Sequence, residues 1–174
     1  MGKVPAGVGP KYPQVVVLMG ATGDLSRRKL LPGLFQLSRA RFIPGCRIIG
    51  VSRDDLDTDG FRTTAREALH QFSTHGISET DWAAFAEILE YVPLAAGAGA
   101  LLRSVEKAEQ TLGCDSRRLH YLSVPPNAAL SAVQLLRDAE LVERSRIVME
   151  KPFGTDLASA VSLKVSVMRF SSRR

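Results

Sequence analysis

The sequence predicts an α/β fold, a doubly wound parallel sheet that forms a single domain. Short apolar runs of strand length recur five times along the chain. Segments with apolar residues at helical spacing lie between these runs, and glycine or proline marks most of the junctions. Such alternation is typical of parallel sheets, whose crossover connections are right-handed.

The first strand and helix are the clearest unit. Residues 15–19 read VVVLM, without polar alternation, as expected of a strand buried on both faces. Gly20 ends this strand, and a helix is predicted over residues 26–40.

The later units follow the same pattern. A loop of small residues is predicted over 95–100, His75-Gly76 should end the second helix, and Gly113 should stop the fourth. The remaining predicted strands are 47–51, 88–92, 119–124 and 146–149, and the remaining predicted helices are 61–72, 79–85, 101–112 and 130–136.

Length and composition suit one globular domain. The chain has 174 residues, of which 45% are hydrophobic and 24% charged, enough to bury one sizeable core. We expect a flexible amino-terminal tail (1–13), one folded domain (14–163) and an atypical carboxyl-terminal tail (164–174). Apolar runs fall far short of the roughly 20 residues that span a bilayer, and the first residues hold no signal core, so a cytoplasmic protein without a membrane partner is expected.

Cysteine and charge content exclude other classes. Cys46 and Cys114 lie far apart without a CxxC pattern, so neither a disulfide framework nor a metal site is expected. The formal charge is +5, but the basic residues lie in short, separate groups with no aromatic-rich motif beside them, which argues against nucleic acid. An anionic small ligand would explain part of this charge, and solvated surface the rest.

The turn after the first strand, GATGDL, is the leading candidate site. Gly20 and Gly23 allow a tight turn and close approach to a ligand, while the following helix directs unpaired N–H groups and its positive dipole end at the turn. Thr22 adds a hydroxyl, and Asp24 is expected to cap the helix. This arrangement suits a pyrophosphate. The alternative is an ordinary strand-to-helix turn, because the GxxGDL spacing differs from the usual GxGxxG.

Two cations follow other predicted strands, at the edge where parallel sheets bind ligands. Arg53 stands after the second strand, where a protein that prefers NAD usually carries an acidic residue. It would suit a 2′-phosphate and therefore NADP, or it could pair on the surface with Asp54, Asp55 or Asp57. Lys151, in EKPFG, would lie near a substrate or the far end of a cofactor, or be a solvated lysine in a proline turn.

Four segments together resemble the amino-terminal coenzyme domain of the glucose-6-phosphate dehydrogenase family. They occur in order between residues 14 and 163, and read GATGDLSRRKLLPGLFQL, RIIGVSR, RLHYLSVPP and RIVMEKPFGTDLASA. The resemblance implies a Rossmann-like fold and oxidation of glucose 6-phosphate to 6-phosphogluconolactone with hydride transfer to NADP, in the oxidative pentose phosphate pathway.

The resemblance also implies roles for individual residues. Arg53 would bind the 2′-phosphate of NADP, and Lys151 would contact both the coenzyme and glucose 6-phosphate. The remaining cofactor-binding residues implied are Gly20, Ala21, Thr22, Gly23, Asp24, Leu25, Leu94, Ala95, Tyr121 and Pro152.

The chain departs from the family pattern after Leu163. We expect the family's substrate-phosphate segment and catalytic histidine to be absent, and His70, His75 and His120 are each expected to be surface or core histidines. No catalytic residue is therefore assigned. Two readings remain open: the coenzyme domain of the dehydrogenase, inactive alone, or a non-catalytic NADP-binding fragment. An oligomer is expected only of a full-length chain, and glucose 6-phosphate should bind weakly or not at all.

Overall fold

The computed structural model describes residues 10–113 and 115–150 and contains one five-stranded sheet. Every neighbouring pair of strands is parallel. The spatial order is β3-β2-β1-β4-β5. The strands are β1 (Gln14–Met19), β2 (Cys46–Ser52), β3 (Leu89–Pro93), β4 (Arg117–Leu122) and β5 (Ser145–Met149). The predicted fold class is confirmed.

Helices connect successive strands and cover both faces of the sheet. A π-helical turn, Ser26–Leu30, leads directly into the first α-helix, and a 3₁₀ turn, Leu94–Ala96, precedes the fourth. The α-helices are α1 (Leu31–Arg39), α2 (Thr58–Phe72), α3 (Glu79–Glu87), α4 (Gly97–Leu112) and α5 (Pro126–Asp138).

The central strand β1 explains why the core has two halves. Successive side chains of a strand point to opposite faces. Val15, Val17 and Met19 pack with α4 and α5, whereas Val16 and Leu18 pack with α1, α2 and α3. All five are buried, which confirms the prediction of a strand covered on both sides.

The order of the strands locates the candidate site. From β1 the chain moves outward to β2 and β3, then returns to the other side of β1 for β4 and β5. Open α/β sheets bind ligands where the order reverses, which in this sheet is beyond the carboxyl ends of β1 and β4.

Several predicted boundaries differ from those of the structure. The expected loop over 95–100 is largely helical, because α4 already begins at Gly97 and Ala98 and Ala100 pack against the core. The second helix ends at Phe72, the last residue of its predicted range, but the residue that stops it is Ser73, with extended backbone angles, and not His75-Gly76. Small residues are only a weak loop signal, and packing against the core determines their conformation here.

The two arginines that begin β4 are engaged within the protein. Arg118 forms a bidentate, largely buried pair with Glu109, with N–O distances of 2.8 and 3.0 Å. Arg117 pairs with Asp115 at 2.6 Å, and its guanidinium lies 4.3 Å from the centre of the Tyr12 ring. This part of the positive charge therefore serves the fold.

Among the helices in the described part of the chain, none combines the length and the hydrophobicity of a transmembrane span. Within the same residues, no cluster of three or more histidine, cysteine or acidic side chains could hold a metal ion. Cys46 is a buried free thiol, and burial raises its pKa to about 12, so this sulfur is held as an unreactive core group.

Candidate functional site

The turn that follows β1 is locked by hydrogen bonds to its own backbone and to β2. The N–H groups of Gly20 and Ala21 both donate to the Val51 carbonyl, at 2.8 and 3.2 Å. The Gly20 carbonyl accepts from the Gly23 N–H at 3.0 Å and from the buried Ser26 hydroxyl at 2.8 Å. The loop is therefore rigid before any ligand arrives.

Gly20 is required where β1 meets β4. Its φ of +80° lies in the left-handed region that favours glycine. A Cβ atom there would lie 2.1 Å from the Ser123 carbonyl oxygen. The absence of a side chain thus lets the turn pass against the segment that follows β4.

Three backbone donors of the turn remain available to a ligand. The N–H groups of Thr22, Asp24 and Leu25 have no acceptor among residues 10–113 and 115–150. They precede the π-helical turn, at the positive end of the helix dipole. Free N–H groups at a helix start match the oxygens of a phosphate or diphosphate.

The predicted cap at Asp24 is wrong. Its exposed carboxylate accepts no backbone N–H within the described residues, and lies 3.7 Å from Arg28 one helical turn later. Ser26 stabilises the turn instead, through the Gly20 carbonyl. The Asp24 N–H is consequently left open, whereas its carboxylate faces solvent beside a cation.

The end of β2 lies directly beside this turn. Ser52 Oγ is 2.7 Å from Thr22 Oγ1, and the Thr22 hydroxyl donates to the Asp54 carboxylate. Arg53, between them, is exposed and forms no ion pair with any described residue. Asp57, one of its expected surface partners, instead caps α2 by accepting from the Gly60 N–H at 2.7 Å.

The end of β3 extends this edge of the site. Tyr91 donates its hydroxyl to the Asp54 carbonyl at 2.8 Å. Burial, followed by the charges of Asp54 and Asp55, raises the pKa of Tyr91 to about 12, so the phenol remains a donor. Leu94 and Ala95 lie exposed in the 3₁₀ turn just after β3.

On the other side of β1, Tyr121 connects β4 to the segment after β5. Its hydroxyl donates to the Glu150 carboxylate. Burial, followed by this hydrogen bond and the charge of Glu150, raises the pKa of Tyr121 to about 12. Lys151 and Pro152 lie outside the described residues.

The three histidines are placed as core or surface groups. His120 is buried in β4, where Nε2 lies 2.8 Å from the Leu141 carbonyl, and burial lowers its pKa to about 4. His70 is exposed on α2, and His75 is exposed beyond it with Nδ1 2.9 Å from the Thr74 hydroxyl. Neither His70 nor His75 forms an ion pair with a carboxylate among the described residues, the arrangement that commonly orients a histidine base.

Sequence reasoning missed four residues of this region. Ser52 and Asp54 bond to Thr22, Ser123 closes on Gly20, and Glu150 accepts from Tyr121. The available signal was their position at the last residue of a strand or one or two residues beyond it. The sequence could not indicate which neighbouring strand end each side chain would reach.

Comparisons with known proteins identify the family of this chain. The family model described as "Glucose-6-phosphate dehydrogenase, NAD binding domain" matches residues 17–173. Glucose-6-phosphate 1-dehydrogenase of Dickeya dadantii is 36% identical over 164 residues, and that of Rhizobium meliloti is 37% identical over 161. These alignments cover 89% and 91% of this chain but 32% and 33% of the relatives, so the chain spans about a third of their length.

Solved structures give the same result. Glucose-6-phosphate 1-dehydrogenase from Mycobacterium avium aligns with a TM-score of 0.75 and 32% identity, over 91% of this chain and 34% of that one. A glucose-6-phosphate dehydrogenase in complex with its substrate aligns with a TM-score of 0.76 and 26% identity, over 94% and 36%. With the family model matched over most of its length, this chain belongs to the glucose-6-phosphate dehydrogenase family and corresponds to the NAD-binding domain of that family.

Proposed function

We propose that this chain binds NADP as the coenzyme domain of a glucose-6-phosphate dehydrogenase in the cytoplasm. The observation that supports the proposal most directly is the turn from Gly20 to Leu25. Its backbone is held by Val51 and Ser26, while three of its N–H groups remain without acceptors among the described residues. A pyrophosphate would supply the missing acceptors at little cost in reorganisation, because the loop is already ordered.

Arg53 supports NADP over NAD. It follows β2, at the position where the adenosine ribose lies in folds of this kind. Its exposed guanidinium has no carboxylate partner among the described residues, so it is available to a 2′-phosphate. Arginine binds phosphate through paired, charge-assisted hydrogen bonds.

The other proposed contacts surround the rest of the coenzyme. Leu94 and Ala95 would line the adenosine side, and Tyr121 would lie beside the coenzyme at the end of β4. Lys151 and Pro152 would complete the nicotinamide end, with Lys151 also reaching the sugar phosphate. When bound, NADP supplies the hydride acceptor for oxidation of a sugar hydroxyl. The residues of this chain hold and orient it.

A second candidate function is coenzyme binding without catalysis. The histidines favour it, because His120 is buried and held neutral, and neither His70 nor His75 has an orienting carboxylate among the described residues. Removal of a hydroxyl proton near neutral pH commonly uses a histidine base. On this reading the activity and the oligomer belong to a longer chain.

Calorimetric titration with NADP and NAD tests the proposal on the wild type and on Arg53→Ala. We expect the variant to lose about 1.5–3 kcal/mol of NADP binding, roughly 10- to 150-fold, while NAD binding hardly changes. Arg39→Ala is the matched control, because Arg39 lies at the opposite end of the helix that follows the turn. Equal losses for both coenzymes in Arg53→Ala would refute the assignment.

A further inference from the structure

At the ribose end of the proposed coenzyme site, the Asp54 carboxylate engages the hydroxyl groups of Thr22 and Ser52 in a chain of hydrogen bonds. A carboxylate at neutral pH can only accept, so the Thr22 hydroxyl donates to Asp54. Thr22 has one proton, and therefore Ser52 donates across the 2.7 Å that separates the two hydroxyl oxygens. Neither hydroxyl has a second proton to offer a phosphate while this chain of hydrogen bonds persists.

The backbone of Asp54 is held in place from the other side. Tyr91 donates its hydroxyl to the Asp54 carbonyl at 2.8 Å, and the Tyr91 ring lies 5.2 Å from the ring of Phe61 in α2. Asp54 is thus attached to β3 through its backbone and to the turn after β1 through its side chain. Its carboxylate is a built part of this corner, although it is exposed to solvent.

Opposite charges consequently meet at one subsite. Arg53 attracts a 2′-phosphate, whereas the adjacent Asp54 carboxylate repels it and holds the donors that the phosphate would use. A free 2′-hydroxyl has the reverse relation to Asp54, because it carries a proton that a carboxylate accepts. The two residues should therefore change coenzyme preference in opposite directions.

We infer that Asp54 is a specificity-determining residue that lowers the preference of this chain for NADP over NAD. This inference rests on the proposed function. When a 2′-phosphate binds, the Asp54 carboxylate must leave the Thr22 hydroxyl. When NAD binds, this hydrogen bond stays in place.

The experiment is calorimetry on the full 174-residue chain with probes that contain only the adenosine end. Adenosine 2′,5′-bisphosphate and adenosine 5′-monophosphate differ by the phosphate in question, and NADP and NAD repeat the comparison with whole coenzymes. The variants are Asp54→Asn and Asp54→Ser, both without the charge. Asp55→Asn is the matched control. It removes the same charge from the next residue, and the exposed Asp55 side chain does not bond to Thr22.

We expect both Asp54 variants to raise the preference for the bisphosphate over the monophosphate by about fivefold, and Asp55→Asn to raise it by less than about twofold. An unchanged or lower preference in the Asp54 variants, or an equal rise in Asp55→Asn, overturns the inference. If the wild type binds none of the four ligands, the proposed function fails with it. If Arg53→Ala weakens NADP binding while the Asp54 variants have no effect, only the inference fails.

Discussion

Gly20 shows how one residue joins the fold to the site. Its left-handed backbone turns the chain out of β1, and its missing side chain leaves room for the Ser123 carbonyl. The carbonyl of Gly20 itself accepts hydrogen bonds from the Ser26 hydroxyl and the Gly23 N–H, and these bonds hold the turn closed. A change at this position should therefore affect both stability and ligand binding.

We expect Gly20→Ala to lower the free energy of unfolding by at least about 2 kcal/mol, because the new Cβ meets backbone and the φ angle is strained. Gly33→Ala is the control, since no atom lies within 4 Å of a Cβ there and the residue is exposed within α1. We expect Gly33→Ala to raise the free energy of unfolding by about 0.5–1 kcal/mol. Urea unfolding measures both, and equal effects would contradict the steric argument.

The connections between elements depend on polar groups as well as apolar packing. His120 fastens the middle of β4 to Leu141, just beyond α5, and Asp57 begins α2 by capping it. The His120 contact joins residues 21 apart in sequence, whereas the Asp57 cap is local to the start of α2. Only the His120 contact therefore stabilises one element against another.

His120 predicts a dependence of stability on pH. Burial lowers its pKa from the ordinary 6.5 to about 4, so the folded protein binds fewer protons than the unfolded chain between these values. The stabilisation is complete above pH 6.5 and is lost as the pH falls toward 4. We expect a loss of about 3 kcal/mol over this interval.

Denaturant unfolding at several pH values measures this loss. His120→Gln keeps an amide donor for the Leu141 carbonyl and removes the titration, so its stability should vary less over the same interval. His70→Gln is the control, because His70 is exposed on α2 and should leave the wild-type dependence intact. If the free energy of unfolding of His120→Gln still falls with pH as steeply as that of the wild type, other groups cause the effect.

At the scale of the whole molecule, the sheet brings together the strand ends of the proposed coenzyme site, and none of the three histidines lies at one of those ends. The turn after β1, the end of β2 and the end of β4 meet in one region. The three histidines lie elsewhere or are buried, as described above. Binding and turnover should therefore separate in this chain.

We expect the 174-residue chain to bind NADP yet show negligible turnover of glucose 6-phosphate. The reason is that His120 is buried, and His70 and His75 have no carboxylate to orient them within the described residues. Absorbance of the reduced coenzyme under saturating substrate measures turnover. Activity that Lys151→Ala abolishes would contradict the prediction, whereas activity unaffected by that variant would indicate a contaminant.

Much of the fold follows from local sequence. The apolar run before Gly20 predicts a central buried strand, and Gly113 predicts the end of α4, where its φ is +68°. The small residues before Leu101 predict a loop, but packing against the core overrides this weak local preference and makes the segment helical. Asp24 misled for a related reason: it has the type of side chain that caps helices, but Arg28 and solvent compete for it.

The class of sheet, the glycine turn after its first strand and the resemblance to a dehydrogenase family can be predicted from the amino-acid sequence, because they depend on local periodicity, backbone freedom and ordered motifs. The pairings at the site depend on the fold. Thr22 and Asp54 are 32 residues apart, and Tyr121 and Glu150 are 29 apart. Only the parallel register of the strands brings such residues together, since it aligns strand ends that no local pattern relates.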